Sequence, residues 1–143
     1  MKRLPNWQTL LSDYLLSVDL QPFKYGSLDC GSFTAGAILA MTGVDPIAEI
    51  RGTYRTRKAA FAAIRSLSNA STMEGVADYL TERYGLAETP VLCAHRGDPV
   101  LIGHGAKSSM GIVAMHSGEI LSPGEKGIYR LPIHTATRAW HID

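Results

Sequence analysis

Apolar residues recur at helical spacing through the first half of this chain and at strand spacing through the second. Trp7, Leu10, Leu11, Tyr14 and Leu15 form an i, i+3/i+4, i+7 stripe, with Asn6 placed to cap the helix they predict. A second helix is predicted from Cys30 to Met41, with Phe33, Ala37, Ile38 and Met41 on one face, Asp29 as its N-cap and Gly43 as its left-handed C-cap. A third opens at Thr56 and runs through Ala59, Ala60, Ala63, Ile64 and Leu67. A fourth follows the capping-box spacing of Ser71 to Glu74, carries Val76, Leu80 and Tyr84, and closes at Gly85. Residues 23–29 and 44–55 read as irregular. After Pro90, short apolar runs alternate with Gly and Pro: residues 100–102, 111–115, 119–121, 127–131 and 138–142, with a hairpin signal at residues 116–118. Helices first and a strand meander afterwards predict an α+β fold, with the helical half packed on a C-terminal antiparallel sheet.

Composition narrows the function. The 143 residues are 45% hydrophobic and 19% charged, which fits one ordinary globular domain spanning 1–143 with a core of its own. A net charge of +1 gives no electrostatic footprint for nucleic acid or for an anionic membrane, and no apolar run reaches membrane-spanning length. The N-terminus lacks an apolar secretion core, so the chain reads as made in the cytoplasm without a signal peptide. Two cysteines, Cys30 and Cys93, make no disulfide framework.

Chemistry concentrates at Cys30. A cysteine that opens a helix meets unpaired backbone N–H groups and the positive end of the helix dipole, and both favour the thiolate a nucleophile needs. A small buried residue packing helix against sheet is the other reading of the same position. Asp29 beside it caps the helix but opposes thiolate formation by like-charge repulsion. Of five histidines, His104 sits in a loop flanked by Gly103 and Gly105, just before the strand that begins near Ser109. It is either an exposed loop residue or a base that swings toward Cys30. His116, His134 and His141 read as turn or edge residues. Cys93 and His95 make a Cys-x-His pair, but a zinc site would need several distant histidines besides, so no metal is expected. No phosphate-binding glycine loop is present, and no cofactor is expected. The cluster Arg51, Gly52, Thr53, Tyr54 and Arg55 is either a docking surface for a protein partner or a solvated connection.

Three segments are similar to the NlpC-type cell-wall cysteine peptidases, a papain-like family. Tyr25-Gly26 through Asp29-Cys30-Gly31-Ser32-Phe33 resembles its nucleophile turn, and Gly97-Asp98-Pro99-Val100-Leu101 its first sheet strand. Ser109-Met110-Gly111-Ile112-Val113 resembles the strand that carries its histidine. The resemblance implies Cys30 as nucleophile, Ser109 where the histidine belongs, Ser122 as the polar orienter on the next strand, and Tyr25 and Asp29 lining the substrate site. A serine cannot act as general base at neutral pH, so the Cys–His dyad is missing at its expected place.

The order of Trp7, Pro22-Phe23, Asp29-Cys30, residues 42–46, Arg51-Gly52-Thr53-Tyr54, Gly97-Asp98 and Arg138-Ala139-Trp140 resembles a small family encoded among the tail genes of tailed phages and prophages. That resemblance implies a distal-tail or baseplate protein in the virion, with other tail proteins and peptidoglycan as partners. It would be a degenerate peptidoglycan-hydrolase module with a structural role. The alternatives are an active cysteine endopeptidase or amidase in which His104 replaces the missing base, and a stand-alone bacterial binding or assembly protein.

Overall fold

The computed structural model describes residues 1–116 and 118–143; the hairpin signal at 116–118 therefore falls in part outside the described residues. Four helices precede a sheet: α1 (Trp7–Val18), α2 (Cys30–Thr42), α3 (Arg57–Ser68) and α4 (Met73–Tyr84). The strands are β1 (Ala87–Thr89), β2 (Pro99–Ile102), β3 (Ser109–Val113), β4 (Glu119–Gly124), β5 (Gly127–Pro132) and β6 (Ala136–His141). They form one antiparallel sheet in the order β1-β6-β2-β3-β4-β5. The fold is α+β, as the hydrophobic pattern predicts.

Helix boundaries follow their caps. Asp29 accepts from the Ser32 amide while the Ser32 hydroxyl accepts from the Asp29 amide, and Gly43 ends α2 at φ +75°. Thr56 caps α3 through the Ala59 amide. Two caps differ from expectation. Asn6 makes no side-chain hydrogen bond, and α4 is capped by Thr72 through the Gly75 amide rather than by a Ser71–Glu74 box. Glu74 is free for another task, described below. Strand β1 escaped the sequence reading because its Ala-Glu-Thr is short and exposed at the sheet edge.

The two faces of the sheet are covered differently. Leu101, Met110, Ile112, Leu121, Trp140 and Ile142 meet the helices, packing with Phe33, Ala37, Ile38 and Met41 of α2 and with Met73, Val76, Ala77 and Leu80 of α4. Val100, Val113, Ile120, Ala136 and Ala139 face the other way, onto Val91, Ala94, Leu131 and Ile133. Alternation along each strand makes this division, so a shift of one residue in β3 decides which side chains look at α2.

Candidate active site

Cys30 is the first residue of α2, presented by a tight turn in which Lys24 and Leu28 pair. Gly26 holds φ +87°, and a Cβ there would stand 1.9 Å from the Tyr54 carbonyl oxygen, so only glycine fits the turn. The Asp29 carboxylate organises everything around it. Oδ1 accepts from the Ser32 amide at 2.9 Å, and Oδ2 accepts from the Gly26 amide at 2.9 Å and the Tyr54 hydroxyl at 2.8 Å. Asp29 is thus committed to the chain's own donors; it lines the cleft and positions the turn.

Cys30 lines a cleft of about 270 Å³. Phe23, Tyr25 and Phe61 give it aromatic walls, and Arg57 and Lys107 give it cationic ones. Tyr25 is braced edge-on against Phe23, with ring centroids 4.9 Å apart. Although Cys30 keeps partial exposure, burial dominates its chemistry and pushes the thiol up to about 11. The Met110 backbone pulls the other way, Asp29 adds to the rise, and the amides of residues 31 and 30 at the helix start pull weakly downward. Burial therefore defeats the helix terminus, and the group at neutral pH is a thiol.

Strand β3 bears on the imidazole that the thiol lacks. Met110 stands opposite Leu101 in register, and both belong to the cluster against which Cys30 packs. Ser109 stands opposite Ile102, which packs on the far face. By strand alternation Ser109, expected where an imidazole would sit, falls on the face opposite Met110, the residue whose backbone hydrogen-bonds the thiol. Ser122 is buried and donates from Oγ to the Met110 carbonyl at 3.1 Å, a tie between β4 and β3.

His104 is exposed and precedes a 3₁₀ turn, Gly105–Lys107. Its loop is pinned at the N-terminus of α4: the Gly105 amide donates to Glu74 Oε2 at 2.8 Å, and the Glu74 amide donates to Ser108 Oγ at 3.1 Å. Ala106, Lys107 and Ser108 line the cleft, and His104 is not among its walls. The freedom that flanking glycines offer is removed by these bonds. Among the described residues, no imidazole figures in the surroundings that set the Cys30 thiol.

Tyr54 is the site residue that sequence reasoning misplaced, as part of an outward loop cluster. It is 5% exposed, and burial, then Asp29, hold its hydroxyl well above the ordinary phenol range. Arg51 of the same cluster turns inward too, pairing with Asp45 through Nε at 2.5 Å and Nη2 at 2.9 Å. The segment is a structural brace behind the Cys30 turn. Cys93 is exposed and forms no bridge with Cys30.

The overall fold is similar to that of a solved NlpC/p60 domain of the peptidoglycan hydrolase SagA. The two share 15% identity and a TM-score of 0.55, over 96% of this chain and 99% of that one. At that identity the likeness shows the fold. Residues 2–142 match the family described as "Domain of unknown function (DUF6950)", and the chain belongs to that family. No curated protein matches it in sequence.

Proposed function

We propose that the protein is a catalytically silent peptidoglycan-hydrolase-like module of a phage or prophage tail, where it holds cell-wall peptide or a neighbouring tail protein rather than cutting a bond. One observation carries the reading: among the described residues, the groups that set the Cys30 thiol are burial, the backbone at Met110 and at the helix start, and the Asp29 carboxylate, with no imidazole to take or give a proton. A thiol held up to about 11 with no base beside it is a poor nucleophile at neutral pH. The cleft itself persists. Its aromatic walls and the cations Arg57 and Lys107 suit an extended peptide bearing carboxylates, the chemistry of peptidoglycan stems. The tail setting is supported by the order of sequence landmarks from the Trp7 helix to Trp140.

Incubation with purified sacculi tests the reading. Wild-type protein and Cys30→Ser are expected to sediment with the wall alike and to release no soluble muropeptides. Muropeptide release by the wild type that Cys30→Ser abolishes would overturn it in favour of an active peptidase. Mass spectrometry of tail particles from a lysogen carrying the gene tests the setting, and absence of the chain from assembled tails would remove that part.

A further inference from the structure

A second constellation lies away from the Cys30 cleft, where β2 begins and β6 ends. Asp98 is fully buried at 0% exposure, and four donors converge on its carboxylate. Arg3 Nη2 donates at 2.6 Å and the Ile142 amide at 3.2 Å to Oδ1. The His95 amide at 2.8 Å and His141 Nδ1 at 3.1 Å reach Oδ2. A carboxylate only accepts, so Nδ1 of His141 carries the proton and Nε2 is left with its lone pair outward. The rings of His95 and His141 meet edge to face with centroids 5.2 Å apart. One nitrogen of each ring and an Asp98 oxygen lie within 4.8 Å of one another. Asp143 Oδ1 is 3.7 Å from His141 Nε2.

We infer that His95, His141 through Nε2, and the Asp143 carboxylate form a site for a divalent transition metal of the zinc class, with Asp98 orienting His141 from behind. Ligand atoms on a tetrahedral zinc at 2.0–2.1 Å stand about 3.4 Å apart, close to the 3.7 Å found between Asp143 and His141. The His95 ring is exposed, and its backbone amide is already fixed to Asp98. Asp98 is not a ligand, because its four lone-pair positions are taken; it does for His141 what a buried carboxylate commonly does for a metal-bound imidazole, fixing tautomer and direction. Its pairing with Arg3 offsets the guanidinium charge that would otherwise repel a cation.

Two imidazoles and one carboxylate leave a fourth position, and His95 also lines a separate cleft of about 580 Å³ together with Trp7 and Arg96. Such an open position suits water or an anionic ligand. The two histidines are 46 positions apart in sequence, and only the antiparallel pairing of β6 with β2, Val100 opposite Ala139, brings them together.

Isothermal titration of the tag-free full chain with Zn²⁺ tests the site. One ion per chain at micromolar affinity is expected. His95→Ala, at an exposed ring whose loss spares the fold, should weaken binding roughly tenfold or more, and His141→Ala likewise. Changing His134 to Ala or Cys93 to Ser should leave the affinity unchanged. With Co²⁺ in place of zinc, the visible spectrum should show ligand-field bands without thiolate charge transfer. Failure to bind one Zn²⁺ at micromolar concentration, binding indifferent to His95→Ala, or binding lost with Cys93→Ser would each overturn the assignment. Should His141→Ala fail to fold by circular dichroism, His95→Ala alone decides.

Discussion

The Tyr54 hydroxyl donates a 2.8 Å hydrogen bond to Oδ2 of Asp29, the residue that caps the helix carrying Cys30. This bond joins the irregular segment before α3 to the turn that presents the thiol. It also completes the set of donors that lets a carboxylate sit buried next to a cysteine. Burying a charged group is tolerable only when its lone pairs are met, and here two amides and one phenol meet them.

Replacing Tyr54 by Phe keeps the ring and removes that donor alone. The Asp29 carboxylate would keep the Gly26 and Ser32 amides but lose its third partner inside the protein. Stability in urea should fall by about 1–3 kcal/mol, the cost of an unsatisfied buried acceptor. A change of only a few tenths would show that the bond does not brace the turn.

Gly26 and Tyr54 constrain each other in a second way. With φ +87° and a 1.9 Å approach between an added Cβ and the Tyr54 carbonyl oxygen, Gly26→Ala must move backbone. The expected loss is more than about 2 kcal/mol, from left-handed strain and the clash together. Thermal unfolding of the variant beside Gly52→Ala would check this. Gly52 also has positive φ, at +72°, but nothing lies within 4 Å of its added Cβ, so the control isolates the steric part.

Alkaline pH should weaken the fold through Cys30 and Tyr14. Burial raises the Cys30 thiol to about 11 and the Tyr14 phenol to about 12, and Tyr14 also donates to the Phe33 carbonyl at 3.0 Å. Both groups are held neutral in the folded state above their unfolded values. Their contribution is therefore complete below the unfolded pKa, about 8.5 for a thiol, and is lost as pH rises through the folded value. For Cys30 the loss is on the order of 3 kcal/mol at about 1.4 kcal/mol per pKa unit. Urea midpoints taken from pH 8 to 11 should decline, and Cys30→Ser should remove the lower part of that slope. Parallel curves for the two proteins would mean the thiol is not held neutral by the fold.

Much of this fold is legible in the chain because the informative signals are local. Asp29, Thr56, Gly43 and Gly85 mark helix ends by chemistry that acts within four residues, and the structure uses all four as caps. The site is less legible because it depends on strand register and tertiary pairing. Ser109 and Met110 are adjacent in sequence, and only the pairing of Met110 with Leu101 tells which of them faces Cys30. Tyr54 sits among basic and polar neighbours that look like a solvated loop, yet its partner is 25 positions away in Asp29. The glycines beside His104 suggest freedom, whereas Glu74, more than a helix turn beyond any local signal, pins that loop. His95 and His141 meet for the same reason of register.

Met110→His would supply the one group that Cys30 lacks. Position 110 belongs to the cluster against which Cys30 packs and its backbone hydrogen-bonds the thiol, so an imidazole there is expected to form a cysteine–histidine pair, with Ser122 anchored to its own carbonyl. At pH 7 a thiol raised to about 11 is ionised to about one part in ten thousand, and a neighbouring imidazolium favours the thiolate and lowers that pKa. Measured in a Cys93→Ser background, so that only Cys30 reports, the alkylation rate at neutral pH should rise roughly tenfold or more over the parent, since each pKa unit is a factor of ten in thiolate. The exchange puts a polar ring into a packed cluster and should cost about 1–3 kcal/mol of stability, which urea unfolding would register. The same histidine placed at Ser109 lies on the opposite face and should leave the rate where it was. Acceleration by Ser109→His rather than Met110→His would reverse the register assigned to β3 and restore Ser109 as the vacated histidine position.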